Sequence, residues 1–282
     1  MQTAMKIKYL GTAAAEGLPA VFCNCSVCRK ARRLGGKNIR TRSQVIINDD
    51  LLVDFPMDTY LHALKHKLDL SAVKYVFITH SHMDHCYPQD LIMRGAPYAH
   101  GMTSPRITVY GNADVLGVFE EQTRREMKPS ARDSIILNEI KPYEDVSAGD
   151  YTVTPLPAVH TAGENCFVYM ITRGGKTYLH LNDTGILPES VYDAVAARTD
   201  RVDAVSFDCT YGFTEHGPGR HMGAFDAVNE TEKLRARRCV DDGTVKILTH
   251  FSHNGAEDYS RLSKSAEAYG FVAAYDGFTL NL

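Results

Sequence analysis

The sequence predicts an α/β protein in which two β-sheets pack face to face with helices outside, a four-layer αββα sandwich. Three observations predict it. Strand-like segments pair in hairpins, then alternate with helical segments along the second half of the chain. Neither a linker-like stretch nor an internal repeat interrupts the 282 residues, so 1–282 reads as a single domain. Finally, His80-Ser81-His82-Met83-Asp84-His85 follows directly on Lys74-Tyr75-Val76-Phe77-Ile78. That apolar, β-branched and aromatic segment reads as a buried strand, and the end of such a strand is where layered α/β proteins carry chemistry.

The elements follow in order. Met5 to Leu10 reads as a first strand. The small-residue turn Gly11-Thr12-Ala13-Ala14-Ala15-Glu16-Gly17 after it is expected to let the backbone approach a ligand closely. Residues 20–33 form a cysteine-rich loop, Cys23, Cys25 and Cys28, followed by Arg29, Lys30, Arg32 and Arg33, which read as the solvated end of a helix. Gln44 to Asn48 and Leu51 to Asp54 form a hairpin across Asp49-Asp50. Asp54, at a strand end, either orients a ligand histidine or caps the helix Asp58 to Lys67. Pro88 to Met93 is a short helix or turn, Ile107 to Tyr110 a strand, and Asn112 the N-cap of a helix running to about Arg125. Ser134 to Ile140 and Tyr151 to Val159 are strands. Asn165 to Thr172 and Lys176 to Leu181 pair across Arg173-Gly174-Gly175. Val202 to Phe207 is a strand. The helix Phe225 to Val240 has its acids early and its bases late, as the helix dipole favours, so its basic run needs no nucleic-acid explanation. Val245 to Leu248 is a strand, Ala256 to Tyr269 a helix, and Phe271 to Leu280 the closing strands.

Composition bounds the function. Hydrophobic content of 44% and charged content of 23% suit a globular protein with a core that needs no disulfide scaffold. A net charge of −3 exerts no global pull toward nucleic acid or a membrane. Neither a leader-like segment nor an apolar run long enough for a bilayer is present, and the expected compartment is the cytoplasm. There, three crowded cysteines out of seven favour metal over disulfide.

The His80–His85 run puts three imidazoles and a carboxylate within six positions. A divalent cation resolves that crowding, because neutral imidazole nitrogen and carboxylate oxygen both suit zinc, manganese or iron. His160, Asp183 and His250 each sit on a turn just after an apolar strand, so all can converge on one edge of a sandwich. Cys23, Cys25 and Cys28 can face one tetrahedral ion, which then needs a fourth ligand.

The His-x-His-x-Asp-His spacing resembles the signature of the metallo-β-lactamase superfamily, and Gly11–Gly17 resembles the Gly-Thr-rich loop after its first strand. The resemblance implies the metallo-β-lactamase fold and a dinuclear site. His80, His82 and His160 would hold the first metal; Asp84, His85 and His250 the second; Asp183 would bridge them. Asp183, where the lactamase branches often carry Cys, favours the phosphodiesterase and thioesterase side. The cysteine cluster, together with Thr249-His250-Phe251-Ser252-His253, resembles the PhnP-like phosphodiesterases. That likeness implies His253 as the fourth ligand of a structural zinc with Cys23, Cys25 and Cys28. It also implies His221, in Gly219-Arg220-His221-Met222-Gly223, as general acid or phosphate clamp, with His216 as a competitor. The catalytic assignments are His221 and Asp84. His62, His66, His100 and His180 are left as structural or exposed.

The implied reaction is metal-dependent hydrolysis of a small phosphodiester, such as a ribosyl cyclic phosphate, with two divalent metals (zinc or manganese, with iron as a third choice). The resemblance also suggests a homodimer. The rivals are a tRNase Z-like nuclease, disfavoured because no long Gly/Lys-rich basic arm is visible, a glyoxalase II-like thioesterase, and a PqqB-like cofactor-biosynthesis protein sharing the cysteine cluster. A non-enzymatic metal-binding scaffold is the reading from another class.

Overall fold

A computed structural model of the chain describes residues 5–214, 219–255 and 257–282. His216, the competitor of His221, lies outside the described residues.

Chain order maps simply onto two seven-stranded sheets. Strands β1 (Lys6–Gly11), β2 (Gln44–Ile47), β3 (Leu51–Val53), β4 (Tyr75–Phe77), β5 (Ile107–Gly111) and β6 (Ile135–Glu139) lie side by side in the first sheet. Strands β7 (Val146–Ala148), β8 (Tyr151–Pro157), β9 (Phe167–Arg173), β10 (Lys176–Leu181), β11 (Ala204–Asp208), β12 (Val245–Thr249) and β13 (Val272–Ala273) build the second. β14 (Thr279–Asn281) returns to the edge of the first, antiparallel to β1.

Alternation within each strand makes the four layers. Ile7, Tyr9, Val45, Ile47, Leu51, Val53 and Phe77 face the second sheet and pack with Val153, Phe167, Tyr169, Ile171 and Tyr178. Ile46, Leu52 and Val76, one position out of phase, face outward and pack with Val115 and Phe119 of α3 (Ala113–Thr123). Strands apolar on both faces are what a sheet covered on both sides requires. The second sheet is covered in the same way by α5 (Glu189–Ala196), α6 (Ala224–Ala236) and α7 (Tyr259–Ala268). The remaining helices are α1 (Ser26–Leu34), α2 (Thr59–His66) and α4 (Pro129–Arg132).

Both expected hairpins form. Asn48 and Asp49 have φ of 48° and 64°, and Gly174 and Gly175 have 57° and 74°. Paired left-handed residues of this kind match the twist of the flanking strands. Asn112 caps α3, its side chain accepting from Val115 N at 2.8 Å. The last helix starts at Tyr259 behind the Asp258 cap rather than at Ala256, which itself lies outside the described residues. α4, β7 and α5 have no counterpart in the sequence reading: they are short, and α5 starts behind Pro188 with no side-chain cap.

At the start of the turn after β1, Gly11 is required by the chain itself, because a methyl group there would overlap the carbonyl oxygen of Arg42. Neither backbone can yield, since Thr12 N and Ala13 N both donate to Thr41 O, at 3.0 and 2.8 Å. Gly11→Ala is therefore expected to destabilise by about 1–3 kcal/mol or more, read as a lowered urea midpoint with unchanged slope.

Candidate metal centre

The middle strands of each sheet run parallel: β3, β4 and β5 in one, β10, β11 and β12 in the other. Their C-terminal ends meet at one edge of the sandwich. Asp54 follows β3, His80 follows β4, Asp183 follows β10, Asp208 ends β11 and His250 follows β12, while His160 comes from the loop after β8. Asp54, Asp183 and His250 all hold left-handed backbone, with φ of 67°, 54° and 60°. Such conformations cost of order 1–3 kcal/mol each and concentrate where side chains must be aimed at a site.

Among the described residues three ligand-competent groups form there and share Asp183. His80, His82, His160 and Asp183 make one; Asp84, His85, Asp183 and His250 make the second, these being the two sets that the family resemblance implies; Asp183, Asp208, His221 and His250 make a third that overlaps the second. Asp183 lies 3.4 Å from His80, 3.3 Å from His160, 3.0 Å from His85 and 3.6 Å from His250. His85 Nε2 is also 3.1 Å from Asp84. Nitrogen and oxygen bound tetrahedrally to zinc at about 2.0–2.1 Å would stand about 3.3 Å apart, so these separations suit shared cations.

The hydrogen bonds behind the imidazoles say which nitrogen faces the centre. His85 Nδ1 donates to Asp54 Oδ2 at 2.7 Å. The Thr79 hydroxyl donates to Asp54 Oδ1 at 2.9 Å and accepts from His80 Nδ1 at 3.0 Å. The Thr210 hydroxyl donates to the carbonyl of His250 at 3.0 Å and accepts from its Nδ1 at 2.9 Å. Each ring thus spends its proton on the side away from the centre. The three Nε2 atoms left over are buried with no hydrogen-bond partner. A buried, unprotonated and unpartnered nitrogen is costly unless a cation takes its lone pair. The residues present fit a divalent metal on that ground.

Electrostatics point the same way. Burial opposes charge on His85, yet Asp54, Asp84 and Asp183 hold its proton affinity well above the ordinary imidazole value. Burial likewise opposes ionisation of Asp183, but His250, His221, His85 and His80 hold it well below the usual carboxylate range. Burial instead lowers His80 and His160 and keeps those rings neutral, while the carboxylate charge around His85 attracts cations.

Asp54 thereby acts on His85 and Thr79. It does not cap α2, whose N-cap residue is Asp58. His221 sits beside the centre, its Nδ1 3.0 Å from Asp183 and 3.1 Å from Asp208. Asp208, absent from the sequence reading, is fully buried. It accepts from Thr210 N at 2.8 Å and lies 3.5 Å from His250, so it aims two histidines at once. Its signal was an acid ending an apolar strand, the signal that marked Asp183. His62 and His180 are buried and His100 is exposed.

Cys23, Cys25, Cys28 and His253 gather separately. His253 Nδ1 is 3.5 Å from both Cys23 Sγ and Cys25 Sγ. Tetrahedral zinc, with Zn–S about 2.3 Å and Zn–N about 2.0–2.1 Å, would set sulfur and nitrogen about 3.5 Å apart. The Cys25 thiol is lowered to about 6 by the Cys28 backbone N–H and then by His253, whereas burial pushes Cys28 up to about 11. The far side of His253 faces Glu16, 3.7 Å away, whose carboxylate accepts from Ser252 Oγ at 2.5 Å.

Two mixed sheets, helices outside and a histidine–aspartate centre at one edge define a hydrolase of the metallo-β-lactamase fold, which binds divalent metals. The chain belongs to the beta-lactamase superfamily, whose domain model matches residues 51–251. It is 24% identical to coenzyme PQQ synthesis protein B of Methylorubrum extorquens (strain PA1), over 99% of this chain and all of that protein. Among solved structures it is similar to a diphosphatase from the PhnP family, with a TM-score of 0.75 and 21% identity over 99% of this chain and 98% of that one. It is also similar to Zn(2+)-bound PqqB from Methylobacterium extorquens, with a TM-score of 0.71 and 21% identity over 98% of this chain and 100% of that one. Among the described residues no helix is long and apolar enough to cross a membrane.

Proposed function

We propose that the protein is a dinuclear metal-dependent phosphodiesterase acting on a small phosphodiester, a ribosyl cyclic phosphate being one such ester, with a separate structural zinc. The observation that carries this reading is that Asp183 belongs both to the group with His80, His82 and His160 and to the group with Asp84, His85 and His250, so that one carboxylate could serve two cations. The similarity to a diphosphatase from the PhnP family supports hydrolysis at phosphorus. When bound, the ions, zinc or manganese ahead of iron, supply Lewis-acid charge for the phosphate oxygens and acidify water.

The remaining work falls to the chain. His80, His82 and His160 hold the first position, Asp84, His85 and His250 the second. Asp54, Thr79 and Thr210 keep the Nδ1 protons of His80, His85 and His250 turned away from the centre, so that Nε2 stays free. Asp208 keeps His221 against the centre, where it protonates the departing alkoxide. The substrate is small rather than a nucleic acid, and the working form is a cytoplasmic homodimer.

The full-length match to coenzyme PQQ synthesis protein B favours a second reading, in which the same centre serves the synthesis of a coenzyme. Hydrolysis of bis(4-nitrophenyl) phosphate by the zinc- or manganese-loaded protein separates the two. Turnover is expected, with His221→Ala lowering it about 10²–10⁴-fold, the usual worth of general acid help. Cleavage of thioesters with no phosphodiester turnover would overturn the proposal. Turnover indifferent to His221 would leave the reaction class standing and remove the acid.

A further inference from the structure

Glu164 lies four residues past His160, in the loop between β8 and β9, and is not one of the ligand-competent residues around Asp183. Its carboxylate makes three short contacts with two other elements. Oε1 accepts from the backbone N of Ser81 at 2.7 Å and from Asn112 Nδ2 at 2.9 Å, while Oε2 accepts from Ser81 Oγ at 2.7 Å. Ser81 is the residue between His80 and His82. Asn112 is buried, caps α3, and with the same Nδ2 donates to Asn165 O at 2.8 Å. One carboxylate therefore ties three segments together: the loop bearing His160, the loop bearing His80 and His82, and the rigid start of α3.

We infer that Glu164 is a positioning residue that sets the first metal position by holding the His80–His82 backbone at a fixed distance from His160. The three imidazoles of that position come from two loops 78 residues apart, and His160 Nε2 stands only 3.1 Å from His82 Nδ1. Without an ion that contact is a hydrogen bond between the rings, one donating and the other accepting; a cation that takes both nitrogens removes it, so the spacing of the loops then depends on bonds outside the ligand rings. Other bonds join the two segments near the centre. Phe167 N donates to Thr79 O at 2.8 Å and the Tyr169 hydroxyl to Ile78 O at 2.6 Å, both reaching only the residues before His80. The contact of Thr161 Oγ1 with His82 Nε2 at 3.2 Å is itself carried on a ligand ring. Among the described residues it is Glu164 that grips the backbone between His80 and His82, and it does so through charge-assisted bonds, roughly twice as strong as neutral ones. The second position draws on Asp84, His85 and His250; the imidazoles of His85 and His250 are bonded by Asp54, Thr79 and Thr210, not by Glu164. The effect should therefore be confined to one of the two ions.

The inference rests on the dinuclear metal reading but not on the choice of phosphodiester, and its test reads metal rather than turnover. The apoprotein, with its cysteine-bound zinc retained, is titrated with Co(II). Visible absorption reports ligand geometry and a competing chelator reports affinity. Outer partners of metal ligands are typically worth 10–100-fold in affinity. Glu164→Ala is expected to weaken one of the two cobalt sites by that factor and to alter its spectrum, with the other site changed less than about threefold. Glu164→Gln keeps a carbonyl for the Ser81 N–H and loses the charge, so it should recover most of the affinity. Ser81→Ala, which keeps the backbone N–H, should cost less than Glu164→Ala, and adding it to Glu164→Ala should cost nothing further.

Two cobalt sites in Glu164→Ala with unchanged affinity and spectrum would overturn the inference, as would equal weakening of both. If Glu164→Ala unfolds, the comparison of Glu164→Gln with Ser81→Ala and their double variant still decides: strictly additive losses would overturn the shared clamp. Wild-type protein that binds fewer than two cobalt ions at this centre would instead sink the dinuclear reading, and the clamp with it.

Discussion

Asp183→Asn is expected to empty both proposed metal positions together while a zinc held by Cys23, Cys25, Cys28 and His253 would remain. Asn is the informative replacement because it keeps the volume of the side chain and tolerates the left-handed backbone at φ 54°, whereas Ala would add strain of its own. What it removes is the one anionic group common to both ligand sets. Five imidazoles, from His80, His85, His160, His221 and His250, lie within 3.6 Å of that carboxylate. Asp84 belongs to the group of the second position only, and Asp208 to the group with His221 and His250 only. A neutral amide cannot offset two dications held a few ångströms apart, so neither ion retains its affinity. Losing several kcal/mol of charge stabilisation at the reacting centre corresponds to at least about 10³ in turnover. Elemental analysis after gel filtration checks the first half of this expectation, and single-turnover hydrolysis the second. A variant that keeps two tightly bound ions would show that the carboxylate does not bridge.

Removing the proposed cysteine-bound zinc, by chelation or by His253→Ala, is expected to release residues 19–34 from the body of the protein. Up to Leu18 the backbone is tied to Thr41, Arg40 and Phe251; beyond it the loop is held by the ion pair of Lys30 with Asp258 at 2.6 Å and by a small apolar cluster of Leu18, Ala20, Cys28 and Ala31, while Phe22 at the tip is fully exposed. α1 carries four basic residues and no acid in its first turn, and its N-terminal cap is the thiol of Cys25 itself. Structural zinc contributes about 10–16 kcal/mol of apparent folding energy in isolated peptides. In this chain most of that is spent locally, so limited proteolysis between Gly17 and Gly35 should accelerate by orders of magnitude while the β-sheet signal in circular dichroism persists. Turnover should fall about 10–100-fold as well. His253 is three residues past His250, and the loop after β1 braces that segment directly: Ala14 N donates to Phe251 O at 3.1 Å, and Phe251 N to Thr12 O at 2.9 Å. Proteolysis unchanged after complete zinc removal would show that the four residues hold the loop by packing alone.

The sequence by itself determined the kinds of element and the kinds of chemistry. Period-two apolar runs, glycine pairs and the Asn112 cap placed strands, hairpins and helix starts to within a few residues, because those signals are local. Short elements escaped it: β7 buries one of three residues, too few to leave a period. The candidate ligands His80, His82, Asp84, His85, His160, Asp183 and His250 stood out because they lie at or just beyond the ends of apolar strands. What their resemblance to a family implied was a division into two sets, and only the tertiary structure brings those sets to one edge around a common carboxylate. It alone decided that Asp54 serves His85 rather than a helix, that Asp208 and Glu164 belong beside the centre, and that Gly11 is a glycine for the sake of Arg42. The physical reason is one of distance along the chain. Asp54 meets His85 31 residues away, Glu164 meets Ser81 83 away, and His253 meets Cys23 230 away. Alternation says that a side chain points inward from a sheet, but not which other strand end it will find there.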